Sequence, residues 1–395
     1  MHRKKLLIVG GGNLCLQVLQ ILAPRNQFEF HVASRDLEKA DRLTNLIRLA
    51  ALQQNVTVEI HSHQMDLCES WIGRNAETLL KIKPDIVLNC ASLQSWRVIT
   101  QLPAERFVAL DHAQLGPWLP MHLAPAYALM RAIKQSCPKC LVVNAAFPDA
   151  VNPILYKVGM APDVGIGNVA NLVPATRSAI ARLAERLPSQ VVVKLIGHHF
   201  FSHYVPRHGL PPQVPEPTFN LTYWIDGEER TGEHAADAIF ACIATEFRRL
   251  GGTDGQYLTA MSAVAVLENL FAENEVRVHG PGPHGLPGGY PIKVGMGKVL
   301  LDLPYGVRRE EAIKVNEAGQ RLDGINSILA DGTAVFGQSQ MAVMQRELQF
   351  SMAEMRVSDA AAWAEELGCK YKTYVENGLH KGVVAHATGY RAIAR

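Results

Sequence analysis

The chain has 395 residues, 48% hydrophobic and 19% charged, a balance that suits folded domains with sizeable cores and excludes a disordered protein. Its 39 basic and 37 acidic residues leave a formal net charge of +2, which argues against a broad electrostatic surface for nucleic acid. No apolar run approaches the ~18–20 residues of a membrane span, and the run after the basic start, Leu6–Val9, is too short for a secretion signal, so the cytoplasm is the expected compartment.

Lys5–Val9 is a continuous apolar strand, as expected where both faces of a parallel sheet are covered. Gly10-Gly-Gly-Asn-Leu-Cys15 follows at once, and Leu14, Val18, Leu19 and Leu22 then recur at helical spacing until Pro24. Strand, glycine turn and helix in that order make a dinucleotide-binding signature. Gly10 permits the tight turn, and Gly12 lets the backbone approach a pyrophosphate seated on the helix N-terminus at Asn13 and Leu14. Cys15 replaces the third glycine of G-x-G-x-x-G. The second strand, Phe28–Ala33, ends in Ser34-Arg35. An NAD-preferring domain would place an acid there for the ribose 2′-hydroxyl, whereas a hydroxyl and a guanidinium suit a 2′-phosphate. NADP(H) is therefore favoured over NAD(H), the bland reading being a solvated arginine at a helix start with Asp36 as N-cap.

Asp36–Gln53 reads as an amphipathic helix, Val56–Ile60 as a third strand, Ala76–Ile82 as a helix stopped by Pro84, and Asp85–Leu88 as a fourth strand. Ala91, just past that strand, is placed along the nicotinamide half of the cofactor. The run Val32–Ala40, with Asp66 later and Pro84–Cys90, resembles the NADP-binding domain of the saccharopine dehydrogenase group, as does Phe107–Asp111, which would be that group's next strand. The resemblance spans roughly the first 115 residues. It implies a Rossmann fold and an NADP cofactor, and adds Asp66 to the cofactor set.

A helix over Ala124–Ser136 leads into a strand over Cys140–Asn144. Cys137-Pro-Lys-Cys140 is a lone C-x-x-C. Redox or metal duty there competes with two thiols at the start of a strand, and a structural zinc site would need a second ligand pair. Free thiols are the expectation for all seven cysteines. From about Pro120 to residue 325 the chain resembles the lactate and malate dehydrogenases. The resemblance rests on Asn144 at a strand end, Ile154–Pro162, Val164–Leu172, Pro174–Arg177 at a long helix, and Gly197-His198-His199 after a strand. It continues through Phe247–Thr253, Gly288–Gly295 and Val299–Pro304, with Glu310–Leu322 as the last helix. It implies that Asn144 and Arg177 hold the substrate and that His199 donates the proton. The family's acid that charges this histidine has no counterpart, since no acid lies between Val164 and Arg177; Phe200 replaces a glycine after it, and Arg97 is only a candidate for the mobile-loop arginine.

The residues argue similarly without the family. Hydride reduction of C=O or C=N leaves negative charge that a near-neutral acid must quench, and histidine is the usual choice. A carboxylate calls for a planar two-pronged cation, met by Arg177. His198, His199, His203 and His208 crowd one short segment. Acid–base chemistry at His199, a divalent metal on His199 and His203 with or without His208, and solvated histidines all remain open. Pro206 and Val205 argue against a long helix there, and no metal ligand is assigned. The Gly/Pro-rich stretch His279–Pro291, with His284 and Tyr290, reads either as a structured loop near the pocket or as a plain turn. Met341, Met344, Leu348 and Met352 form a packing stripe in a helical segment over Gln338–Leu367, and the tail after Tyr374 is expected to lack order.

The expected protein is α/β. Residues 1–150 form an NAD(P)-binding Rossmann domain, 151–335 an α+β substrate domain and 336–395 a helical extension, in a homodimer or homotetramer. The expected activity is NAD(P)-dependent reduction, or the reverse oxidation, of a carbonyl or imine in a small carboxylate-bearing substrate, without a nucleic-acid or membrane partner. The alternatives are saccharopine- or opine-type reductive amination, a non-catalytic NADP(H) sensor, and an NAD- and metal-dependent enzyme like the glycosidases built on the lactate dehydrogenase plan.

Overall fold

The computed structural model describes residues 3–136 and 139–388. In the first half, strands alternate with helices: β1 (Lys4–Val9), α1 (Asn13–Leu22), β2 (Phe28–Ser34), α2 (Leu37–Leu52), β3 (Ile60–Gln64), α3 (Ile72–Ile82), β4 (Ile86–Asn89), α4 (Ala104–Asp111), α5 (Leu119–Ser136), β5 (Leu141–Asn144), α6 (Pro148–Lys157) and β6 (Val164–Gly165). The six strands form one parallel sheet in the order β3-β2-β1-β4-β5-β6. The order reverses between β1 and β4, which opens a crevice at their carboxyl ends. The sheet therefore runs past residue 150, because β6 completes its edge.

The apolar run of β1 is explained by the two cores it feeds. Leu7 and Val9 face α3 and α5, while Leu6 and Ile8 face α1. All four are buried, each stabilising the fold by roughly 1.5–3 kcal/mol relative to exposure. Asp36 caps α2 as anticipated, accepting from the Lys39 N–H at 3.1 Å.

Two first-half expectations are corrected. The third strand is Ile60–Gln64, not Val56–Ile60; pairing with β2 aligns Phe30 with Ile60, and an edge strand tolerates the polar His61, Ser62 and His63. Phe107–Asp111 is not a strand but the end of α4, entered from Pro103 with Glu105 in its first turn, and β4 takes β5 as its neighbour instead.

The second half holds α7 (Val169–Leu183), β7 (Val191–Gly197), α8 (His199–His208), β8 (Phe219–Ile225), β9 (Glu228–Glu229), α9 (Ala236–Glu246), α10 (Gln256–Leu267), β10 (Val276–Pro281), β11 (Gly289–Gly295), β12 (Lys298–Leu301) and α11 (Arg309–Leu322). Its strands make an antiparallel sheet in the order β10-β11-β7-β8-β9, with β12 on β11. The His279–Pro291 stretch is the β10–β11 hairpin, tied to α6 by Gly282 O, which accepts from Asn152 Nδ2 at 3.0 Å. The chain continues through β13 (Ile325–Ile328), β14 (Ala334–Phe336), α12 (Gln338–Leu348), β15 (Glu354–Met355) and α13 (Ala360–Thr388), the last three strands forming a small antiparallel sheet. The methionine stripe is packing, as Met341, Met344 and Met352 are buried with α5 side chains in the core beneath the parallel sheet. The chain past Tyr374 is not without structure: α13 runs on to Thr388, because its Trp363, Leu367 and Tyr371 anchor it on the same core. Among the described residues, no helix is long and apolar enough to cross a membrane.

Three buried asparagines lace β4, β5 and α6 together. Asn89 Nδ2 donates to Asn144 Oδ1 at 3.0 Å, and Asn144 Nδ2 donates to Asn152 Oδ1 at 2.9 Å and to Ala146 O at 3.1 Å. Truncating the middle member strands buried polar groups on both sides, each costing about 1–3 kcal/mol. We predict that Asn144→Ala lowers unfolding stability by about 2 kcal/mol or more in a urea titration; an unchanged midpoint would contradict this structural role.

Candidate active site

The crevice at the carboxyl ends of β1 and β4 is lined by the glycine turn. Gly10 holds φ +107°, and a Cβ there would lie 2.7 Å from the Ala91 backbone nitrogen, so β1 and β4 approach too closely for any side chain. Gly12 is the N-cap of α1 and supplies no side-chain cap; there is no acid in the first turn, and nothing lies within 4 Å of where its Cβ would be. The first amides of α1 thus face open space, which fits a pyrophosphate. Gly11 packs near Ser34, whose Oγ accepts from the Asp36 N–H. Arg35 is exposed at the end of β2 with no side-chain partner among the described residues. Asp66 lies half-buried two residues beyond β3, and Ala91 lies two beyond β4. Asn13 turns its amide to α10, donating to Gln256 Oε1 at 2.8 Å, while Leu14 is buried beneath the turn. Burial raises the Cys15 thiol to about 12, consistent with a packing role at the third-glycine position.

Past β5 the chain makes a second concentration of chemistry. Phe147 precedes α6 with φ +44°, a left-handed conformation that is strained for an aromatic residue. Its ring lies edge-on to both His122 (6.1 Å between centroids) and His199 (5.8 Å). Asp149, fully buried in the first turn of α6, accepts the His199 backbone N–H at 2.8 Å and a bond from the Asn168 amide. That carboxylate pins the N-terminus of α8 at the end of β7.

Helix α8 is short, ten residues, and ends within two residues of Pro206. Pro206 sits in the last turn, and Gly209 closes the helix with φ +69°. His199 and His203 are one turn apart on one face, their rings 5.0 Å apart. His208 lies instead against Tyr204, at 4.1 Å, and is exposed.

A carboxylate reaches His199 from a distant part of the chain. Asp323, directly after α11, has no exposed side-chain surface, and its Oδ2 lies 2.9 Å from His199 Nδ1. Its Oδ1 accepts the Leu115 N–H at 3.2 Å. Burial alone would raise this carboxyl, but the facing His199 charge outweighs it and brings it to about 2. Burial likewise opposes the charged form of His199, and Asp323 overcomes it, raising that imidazole. His199 keeps 21% of its side chain exposed, so the pair has one open side. The other imidazoles are held neutral: burial lowers His122 to about 4 and His203 to about 3, with the His199 charge adding to both. Both ring nitrogens of His122, Nδ1 of His203 and Nε2 of His198 are buried without a partner.

Gly319 makes this assembly possible. A Cβ there would stand 2.4 Å from the His198 Cβ, so only glycine lets α11 close on the β7–α8 junction and deliver Asp323.

The other expected site residues are placed differently. Asn144 is fully buried, its amide taken up by the asparagine network. Arg177 does not meet His199: its Nε donates to the Pro188 carbonyl, before β7, whereas His199 follows the far end of that seven-residue strand, about 20 Å away at ~3.3 Å per residue. His284 bonds the Val299 carbonyl at 2.6 Å, and Tyr290 is a buried residue of β11. The side chain of Arg97 and all of Cys137 lie outside the described residues. Sequence reasoning missed Asp323, Asp149, His122 and Phe147. Asp149 lay in view beside Asn144, but nothing local marks Asp323, which is 124 residues from its partner.

No family model matches the chain, and no curated protein matches it by sequence. Solved structures do match. The fold is that of the malate and lactate dehydrogenases. A malate dehydrogenase from Cryptosporidium parvum superposes with a TM-score of 0.55 at 16% identity, covering 82% of this chain and 98% of its own. The lactate dehydrogenase of the same organism, solved with lactic acid and nicotinamide adenine dinucleotide, gives 0.53 at 14% identity, covering 82% and 96%. The malate dehydrogenase of Picrophilus torridus gives 0.54 at 16%, covering 82% and 97%.

The close approach at Gly319 is testable. Gly319→Ala pushes α11 off His198 and is expected to destabilise the protein by about 1–3 kcal/mol, although alanine is the better helix former. A rise in melting temperature would contradict this packing.

Proposed function

We propose that this chain is an NAD(P)-linked oxidoreductase acting on a small hydroxy or oxo acid, with His199 as the proton donor. The observation that carries the reading is the His199–Asp323 pair, a histidine held toward its charged form by a buried carboxylate and open on one side. It stands among the loops that follow the parallel strands, linked to β5 through Asp149 and Phe147. The likeness of fold to malate and lactate dehydrogenases supports the same class of reaction.

The residues divide the work. The amides of Gly12, Asn13 and Leu14 would hold the pyrophosphate, Ser34 and Arg35 the adenosine ribose or its 2′-phosphate, and Ala91 would line the path toward the nicotinamide. When bound, the cofactor supplies or accepts the hydride. Asp323 holds the proton-bearing tautomer of His199, keeps the ring oriented and offsets its charge. His199 then gives a proton to the substrate oxygen in reduction and takes it back in oxidation. Arg177 is left out of the carboxylate-binding role by its Pro188 contact.

The carboxylate partner that Asp323 gives His199 supports an enzyme over a non-catalytic sensor. Reductive amination of the saccharopine or opine kind uses the same donor and differs in requiring an amine.

Three measurements test the proposal. His199→Ala should lower turnover about 10²–10⁴-fold while NADPH affinity stays near wild type; undiminished turnover removes His199 from the mechanism. Arg35→Ala should weaken NADPH about tenfold or more and leave NADH nearly unchanged; equal effects on both cofactors would refute the NADP preference. NADPH oxidation against 2-oxo acids, with and without amines, separates simple reduction from amination. Bound cofactor with no turnover in either arm would sink the oxidoreductase reading.

A further inference from the structure

We propose that His199, His203 and Asp323 bind one divalent transition-metal ion, with a fourth position on the exposed side of His199. The donor atoms of these three residues all lie within 4.8 Å of one another. Ligands at ~2.0–2.2 Å around a tetrahedral ion stand roughly 3.5 Å apart, so small side-chain rotations complete the site. Helix α8 presents the two imidazoles one turn apart, and the end of α11 presents the carboxylate from the opposite side. His203 carries the second, independent sign. Its Nδ1 is buried with no hydrogen-bond partner, an arrangement that costs free energy unless something fills it. Two imidazole nitrogens and one carboxylate oxygen form a donor set suited to zinc and its neighbours, and three protein ligands with one free position are the usual form of a reactive rather than a structural site.

The surroundings permit a cation. Arg207, the nearby guanidinium, is drawn off by Asp111 at 2.9 Å, and Asp149 sits at the His199 backbone. Among the described residues, the other group of metal-ligating side chains, Glu29, Glu59 and His61 at the edge of β2 and β3, is less suited. The Lys5 ammonium stands 3.3 Å from Glu29, and Glu59 and His61 are exposed.

The ion and the proton that His199 shares with Asp323 exclude one another, since both use the same carboxylate face. A bound ion would take the place of that proton, so the proton-donor role of His199 belongs to the metal-free form. Binding itself does not depend on the oxidoreductase reading and is measured without cofactor or substrate.

The test is titration of the chelator-stripped full chain with Co²⁺, read by visible absorption and equilibrium dialysis. One equivalent should bind per chain with the intense visible bands of a low-coordinate centre. His203→Ala and Asp323→Asn should each weaken binding by at least about tenfold, with circular dichroism and melting confirming that they fold. His61→Ala should leave binding unchanged. Absence of stoichiometric binding, or binding that survives His203→Ala and falls with His61→Ala, overturns the proposal. Metal-free wild type that still oxidises NADPH would leave the oxidoreductase reading standing whatever the cobalt result.

Discussion

A carboxylate with no water around it must find a cation or give up its charge, and Asp323 answers that constraint by pairing with His199. Much of the second half is arranged to make the pairing possible. Gly319 lets α11 lie against His198, Asp149 fixes the backbone of His199, and the Leu115 amide takes the second oxygen of Asp323. The pair thereby ties the α4–α5 connection, the β7–α8 junction and the end of α11 into one unit. The same low dielectric that makes an unpaired charge so costly makes the neighbouring imidazoles neutral, so His199 is the one ring in the group held toward its charged form.

The two halves of the molecule supply complementary chemistry by different means. The parallel sheet offers backbone: uncapped amides at α1, and a glycine turn that no side chain could enter. The antiparallel half offers side chains, placed by a short helix that starts immediately after its central strand. The join is made with buried asparagines rather than a flexible linker, since Asn152 reaches from α6 to the Gly282 carbonyl in the β10–β11 hairpin. Such a join leaves little room for the groups at the crevice to move independently.

Legibility in the sequence follows the range of the interaction. The glycine turn, the apolar β1 and the Asp36 cap were readable because each depends on residues a few places apart. The third strand was misplaced by four residues because Val56 and Val58 are apolar while the strand itself is a polar edge. Phe107–Asp111 carries aromatic and branched residues that suit a strand, yet β4 already pairs with β5, leaving no place for another between them. Arg177 was assigned from its position in a helix, but a helix position does not say which end of the neighbouring strand a side chain reaches. Asp323 was invisible for a plainer reason. It follows an ordinary helix, and its meaning lies entirely in a partner 124 residues away.

The arrangement requires that His199 hold a proton on Nδ1 against Asp323 before any substrate arrives. Proton NMR of the metal-free protein in water tests this directly. A strongly downfield, exchange-protected imidazole N–H resonance is expected, and it should disappear in Asp323→Asn while the amide spectrum stays folded. A wild-type spectrum without that resonance, or one in which it persists in Asp323→Asn, would contradict it.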